Sequence, residues 1–156
     1  MTEGRTVVIG VGNPYRRDDG FGPAVVSLLA DRRLPGVELT GCDGEPTRLI
    51  ELWAGAALAV VVDAVRTRSA SPGRVHRLSA YHPAVRTGVP AASSHAVGLG
   101  EAVELARVLG RMPDRLLLYA VEADQVGFGV GLSPAVAAAA VRVAAEIVEL
   151  VRVEVG

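Results

Sequence analysis

The apolar run Val7-Val8-Ile9-Gly10-Val11 breaks into Gly12-Asn13-Pro14 and then reaches two adjacent carboxylates, Asp18 and Asp19, where a helical pattern opens. An uncharged β-branched strand belongs in the covered interior of a sheet, and the turn after it starts a βαβ unit. In open α/β sheets such turns deliver polar side chains to the carboxyl ends of strands, where ligands bind. This one stretch therefore constrains both the fold and the place to look for chemistry.

The rest of the chain repeats the alternation. Apolar runs at 6–12, 37–42, 57–65 and 115–122 read as strands, and 20–32, 46–54, 98–109 and 133–153 as helices. In the first helix Ala24, Val25, Leu28 and Leu29 share an apolar face, and in the last the stripe is Val136, Ala140, Val143, Ala144, Ile147 and Val151. The link at 66–73 is too short and polar for a crossover helix, so 74–79 is expected to return antiparallel after Ser71-Pro72-Gly73. Residues 81–96, rich in Pro, Ser and Gly, read as the longest loop. The expected fold is α/β: a three-layer α/β/α sandwich on a mostly parallel five-stranded sheet with one antiparallel strand, forming a single domain over 1–156.

Composition removes several functions. The formal net charge of −1 argues against nucleic acid or an anionic membrane as partner. All 16 cationic residues are arginines, which excludes a Schiff-base lysine and a phosphate loop of the Gly-Lys-Ser/Thr type. The sole cysteine, Cys42, has no internal disulfide partner, as suits a reduced compartment. With no signal-peptide pattern and no apolar stretch long enough to span a bilayer, the expected location is cytoplasmic. Gly10-Val11-Gly12 lacks the third glycine of a dinucleotide fingerprint, since position 15 is Tyr15.

Three residues stand out chemically. Asp19 opens a helix, where an acid is commonly only a cap, but two adjacent like charges call for something cationic nearby. Asp18 is read as the one that caps or orients the turn. Asp63 ends the apolar run Ala59-Val60-Val61-Val62; its structural alternative is an Asx turn into Ala64-Val65. His95, in Ser93-Ser94-His95, is on its own most simply a solvated loop histidine. Taken together, two carboxylates and a neutral imidazole form a ligand set acceptable to Ni, Zn or Co that leaves coordination positions open. Cys42 is the rival nucleophile, paired with His95, or else a small buried hydrophobe. Trp53 reads as core, or as a docking residue if exposed, while His76 and His82 read as surface, and Glu122 and Asp124 as lining or capping the crevice.

Gly-Asn-Pro-x-x-x-Asp-Asp-Gly-Phe-Gly at 12–22, Val-Val-Asp-Ala-Val at 61–65, Ser-Ser-His at 93–95 and Gly-Leu-Ser-Pro at 131–134 resemble, in this order, the hydrogenase maturation endopeptidases. The resemblance runs from about residue 6 to about residue 150 and implies an α/β sheet of the expected kind. It implies an endopeptidase that removes the C-terminal extension of a NiFe-hydrogenase large-subunit precursor after nickel insertion. It also implies that Asp19, Asp63 and His95 are the metal-binding and catalytic triad, the family frequently carrying Glu where this chain has Asp19. The nickel would be that of the substrate, with Zn or Cd able to occupy the same site in a crystal. Against this stand two other readings, a Cys42–His95 hydrolase without metal and a nonenzymatic metal- or protein-binding module.

Overall fold

A computed structural model describes residues 4–66, 71–79 and 94–155, with the side chains of 94–97 and 154–155 outside the description. Five strands form one sheet: β1 (Thr6–Val11), β2 (Val37–Cys42), β3 (Leu58–Val65), β4 (Val75–Ser79) and β5 (Arg115–Glu122). Their order is β2-β1-β3-β5-β4, all parallel except β4, which pairs antiparallel with β5. The helices are α1 (Phe21–Ala30), α2 (Pro46–Trp53), α3 (Ser94–Leu109) and α4 (Pro134–Val155), and a 3-10 turn at Arg17–Gly20 precedes α1.

Burial follows from position in the sheet. Every residue of β1 and β3 is buried, because both strands lie inside the sheet and helices cover both faces, whereas β2 and β4 at the edges are only partly covered. Alternate side chains divide the core into two clusters. Val7, Ile9, Val11, Val61 and Val65 pack with α2 and α3, and Val8, Val60 and Val62 pack with α1 and α4. Trp53, at the end of α2, is completely enclosed in the first cluster, so it belongs to the core and is not available for docking.

The connections decide where a site can form. From β1 the chain passes through α1 to β2 on one side, then returns through α2 to β3 on the other side of β1. Because α1 and α2 lie on opposite faces, the carboxyl ends of β1 and β3 flank the point at which the strand order reverses. Crevices of this kind are where open α/β sheets bind ligands.

Two expectations are corrected. The stripe of α1 is Phe21, Gly22, Val25 and Leu29, with Leu28 turned toward solvent. Phe21 starts the helix and takes the core position, which rotates the apolar face away from Leu28. Helix α3 begins at Ser94, four residues before the expected start, so the backbone of His95 lies in its first turn and not in a loop. Gly98 sits where this first part of the helix meets the turn after β2. A Cβ there would stand 2.7 Å from the carbonyl oxygen of Gly44, so only glycine lets the helix N-terminus come down onto the turn after β2.

Candidate active site

The turn after β1 is built to bring Asp19 back onto the strand end. Gly12 has φ +135°, and a Cβ there would lie 1.9 Å from the carbonyl oxygen of Asp19, so no side chain is possible. The N–H of Gly12 donates to the carbonyl of Cys42, at 3.0 Å, holding the turn to the end of β2. Asn13 carries two further bonds: its N–H donates to Asp19 Oδ2 at 2.8 Å, and its Oδ1 accepts the N–H of Tyr15 at 2.9 Å in an Asx turn.

Asp63 reaches the same end of the sheet from the neighbouring strand. The β1–β3 pairing runs to Gly10 opposite Val62, which leaves Asp63 alongside the start of the Gly12 turn. Its neighbours Val61 and Val65 point into the α2–α3 cluster, and strand alternation puts Asp63 on that face. Its side chain is 3% exposed, and Oδ1 accepts the N–H of Ala64 at 2.8 Å. The 3-10 turn that carries Asp19 packs against β3. Asp19 and Asp63 thus both stand at the carboxyl end of the sheet, beside the point where the strand order reverses.

The backbone of His95 lies one turn before Gly98, at the carboxyl end of the sheet and on the α2–α3 side, where Asp63 also points. Its side chain lies outside the described residues, as does His82. Among the described residues no three His, Cys, Asp or Glu side chains converge in a metal-binding arrangement. Carboxylate oxygens join imidazole as ligands of a borderline divalent ion such as zinc, so Asp19 and Asp63 fit the donor set expected of the site.

Asp18 does different work from Asp19. It is wholly buried, and its carboxylate accepts four hydrogen bonds: from the N–H groups of Asp124, Gln125 and Ser133 and from the Ser133 hydroxyl, at 2.7–3.0 Å. Burial by itself would raise its pKa, but the N–H groups of Gln125, Ser133 and Asp124 and the hydroxyl together hold it below the ordinary aspartate value. Adjacent acids are therefore tolerated because one is consumed internally, locking the turn after β1 to the loop after β5. The reading of Asp18 as the orienting acid matches this geometry, and Ser133 serves it immediately before Pro134 starts α4.

Cys42 is badly placed to be a nucleophile. It packs against the α2–α3 core, and burial pushes its thiol pKa up, with Asp43 adding to the effect against the Gly44 N–H and Arg48. A thiol kept protonated is a poor nucleophile. His76, expected at the surface, is instead half-buried against Glu122. His76 Nε2 lies 2.9 Å from the buried Glu122 carboxylate, whose Oε1 also accepts the N–H of Ser71. This pair ties β4 to the carboxyl end of β5. Only the antiparallel register, with His76 opposite Ala120, reveals it; nothing in the local sequence of either residue signals the other.

Comparison with known proteins places this arrangement of sheet and crevice among the peptidases. The family model described as hydrogenase maturation protease matches residues 23–150, a span that includes Asp63 and His95 and starts just after Asp19. The chain belongs to the hydrogenase maturation protease family. It is 29% identical to the hydrogenase 2 maturation protease of Escherichia coli over 137 residues, covering 86% of this chain and 82% of that protein. It is 31% identical to the hydrogenase expression/formation protein HoxM of Azotobacter vinelandii over 128 residues, which is 81% of this chain but 61% of the relative. Among solved structures, the hydrogenase maturating endopeptidase HybD from E. coli superposes with a TM-score of 0.79 at 25% identity, covering 95% of this chain and 92% of HybD. These relatives favour the peptidase reading over the metal-free thiol hydrolase and over the binding module.

Proposed function

We propose that this chain, acting as a single processing domain, is the endopeptidase that removes the C-terminal extension of a NiFe-hydrogenase large-subunit precursor once nickel is in place. The observation that carries the proposal is the delivery of Asp19 and Asp63 by neighbouring strands to the reversal point of the sheet, in a chain of the maturation protease family. His95, in the first turn of α3 at the same end of the sheet, is assigned as the third ligand.

The nickel is part of the substrate. Cysteine-held nickel with a vacant position accepts oxygen and imidazole donors, so the triad would recognise a completed precursor by its metal. Near the scissile bond that metal supplies Lewis acidity. The protein's own residues supply orientation and a base. Asn13 N–H fixes Asp19, Ala64 N–H fixes Asp63, and either carboxylate is within the chemistry of a general base for the attacking water. A reduced, cytoplasmic setting suits both the single cysteine and a precursor that carries thiolate-bound nickel. Among the described residues no helix is long and apolar enough to cross a membrane.

Incubating the protein with a nickel-loaded precursor and weighing the product by mass spectrometry tests this reading. Loss of the C-terminal tail supports it, and an intact precursor beside an active control protease refutes it.

A further inference from the structure

The turn that positions Asp19 also builds an exposed apolar and cationic surface at the carboxyl end of the sheet. Tyr15, Phe128 and Val130 are 69%, 89% and 77% exposed, although large apolar side chains are ordinarily covered. They come from two loops that are bonded to each other. Arg17 N–H donates to the Gly129 carbonyl and Gly129 N–H to the Tyr15 carbonyl, each at 2.9 Å. Arg16 Nε donates to the Val126 carbonyl at 3.3 Å, and its guanidinium lies 5.8 Å from the centre of the Phe128 ring. Below them the four bonds to Asp18 fix both loops to the core. The surface is thus preorganised, which lowers the ordering cost of binding.

Charge indicates what the surface takes. Arg16 and Arg17 are exposed, and among the described residues neither lies within ion-pair distance of a carboxylate. Arginine and aromatic side chains at the centre of an exposed patch are the residue types that dominate binding energy at protein interfaces. Resting on the peptidase reading, we propose that Tyr15, Arg16, Arg17, Phe128 and Val130 receive an acidic, apolar segment of the precursor polypeptide beside the bond to be cut. Arg16 and Arg17 pair with its carboxylates, while Phe128, Tyr15 and Val130 cover its apolar side chains. Only Asp18 separates Arg17 from Asp19, so this surface adjoins the residue assigned to the site. Recognition is then in two parts, nickel at the crevice and polypeptide at its rim.

The test uses Phe128→Ala and the double variant Arg16→Glu/Arg17→Glu, checked for unchanged melting temperature. KM and kcat are measured on the nickel-loaded precursor. Kd for the same precursor is measured in an Asp63→Asn background, where binding does not depend on cleavage. Truncating hot-spot residues of this kind should raise KM and Kd about tenfold and leave kcat unchanged. Unchanged KM and Kd, or a fall in kcat alone, would overturn the surface while leaving the peptidase reading intact. Conversely, a chain that binds precursor through these residues but never cuts it would keep the surface and refute the peptidase. A Phe128-dependent dimer of this chain, with precursor binding unaffected, would assign the patch to a second copy and overturn the proposal.

Discussion

The carboxylate of Asp18 accepts both the N–H and the hydroxyl of Ser133, at 2.7 and 2.8 Å, although the two residues are 115 positions apart. That contact fastens the turn after β1 to the start of α4 and sets the height of Asp19, the next residue. Asp18→Asn keeps the shape but replaces one acceptor oxygen with an N–H2 donor facing N–H groups. The expected loss is about 3 kcal/mol, the order found when buried donors lose a charged partner. A urea melt measures it.

The same carboxylate predicts a pH dependence. Its folded-state pKa is depressed, so its stabilisation is complete above the unfolded aspartate value of about 3.9. It is lost as pH falls through the lower folded value. Acid unfolding of the wild type should therefore be steeper than that of Asp18→Asn below about pH 4, and the two profiles should run parallel near neutrality.

Gly12→Ala tests the backbone geometry of the site. The new Cβ would strike the Asp19 carbonyl and the residue would have to hold φ +135°, so Asp19 must move. Processing should fall by at least about a hundredfold in enzyme shown by its circular dichroism to be folded, since misplacing a catalytic group by about 1 Å costs that much. Full activity would mean that Asp19 is not held by this turn in the working enzyme.

Much of this arrangement is legible along the chain, for identifiable reasons. The interior strands β1 and β3 declare themselves because burial on both faces demands continuous apolar runs, and a lone Asp63 within such a run stands out for the same reason. What local pattern misses is set by contacts distant in sequence. The seating of α3 on the turn after β2 depends on Gly98 meeting Gly44, and the His76–Glu122 pair depends on the β4–β5 register. Leu28 fits a helical stripe on paper, but Phe21 and Gly22 take the places next to the sheet. The family resemblance, and not the residues alone, supplied the substrate.

Cys42→Ser separates the metal-directed and thiol mechanisms. With the thiol packed against the core and its pKa raised, the variant should process the precursor within about twofold of wild type, since a group outside the reacting centre contributes little to kcat. Loss of activity in a folded Cys42→Ser protein would put the thiol mechanism first.

Asp19, Asp63 and His95 are proposed to read the nickel of the precursor. Two carboxylates and an imidazole have a vacant metal position to engage in a loaded precursor and nothing to engage in an empty cysteine site. The most direct measurement is tail release, followed by mass spectrometry, from matched nickel-loaded and nickel-free precursors, with wild type beside Asp63→Asn. Cleavage of the loaded form alone, and only by wild type, is expected. Equal cleavage of both forms, or full cleavage by a folded Asp63→Asn, would contradict this proposal.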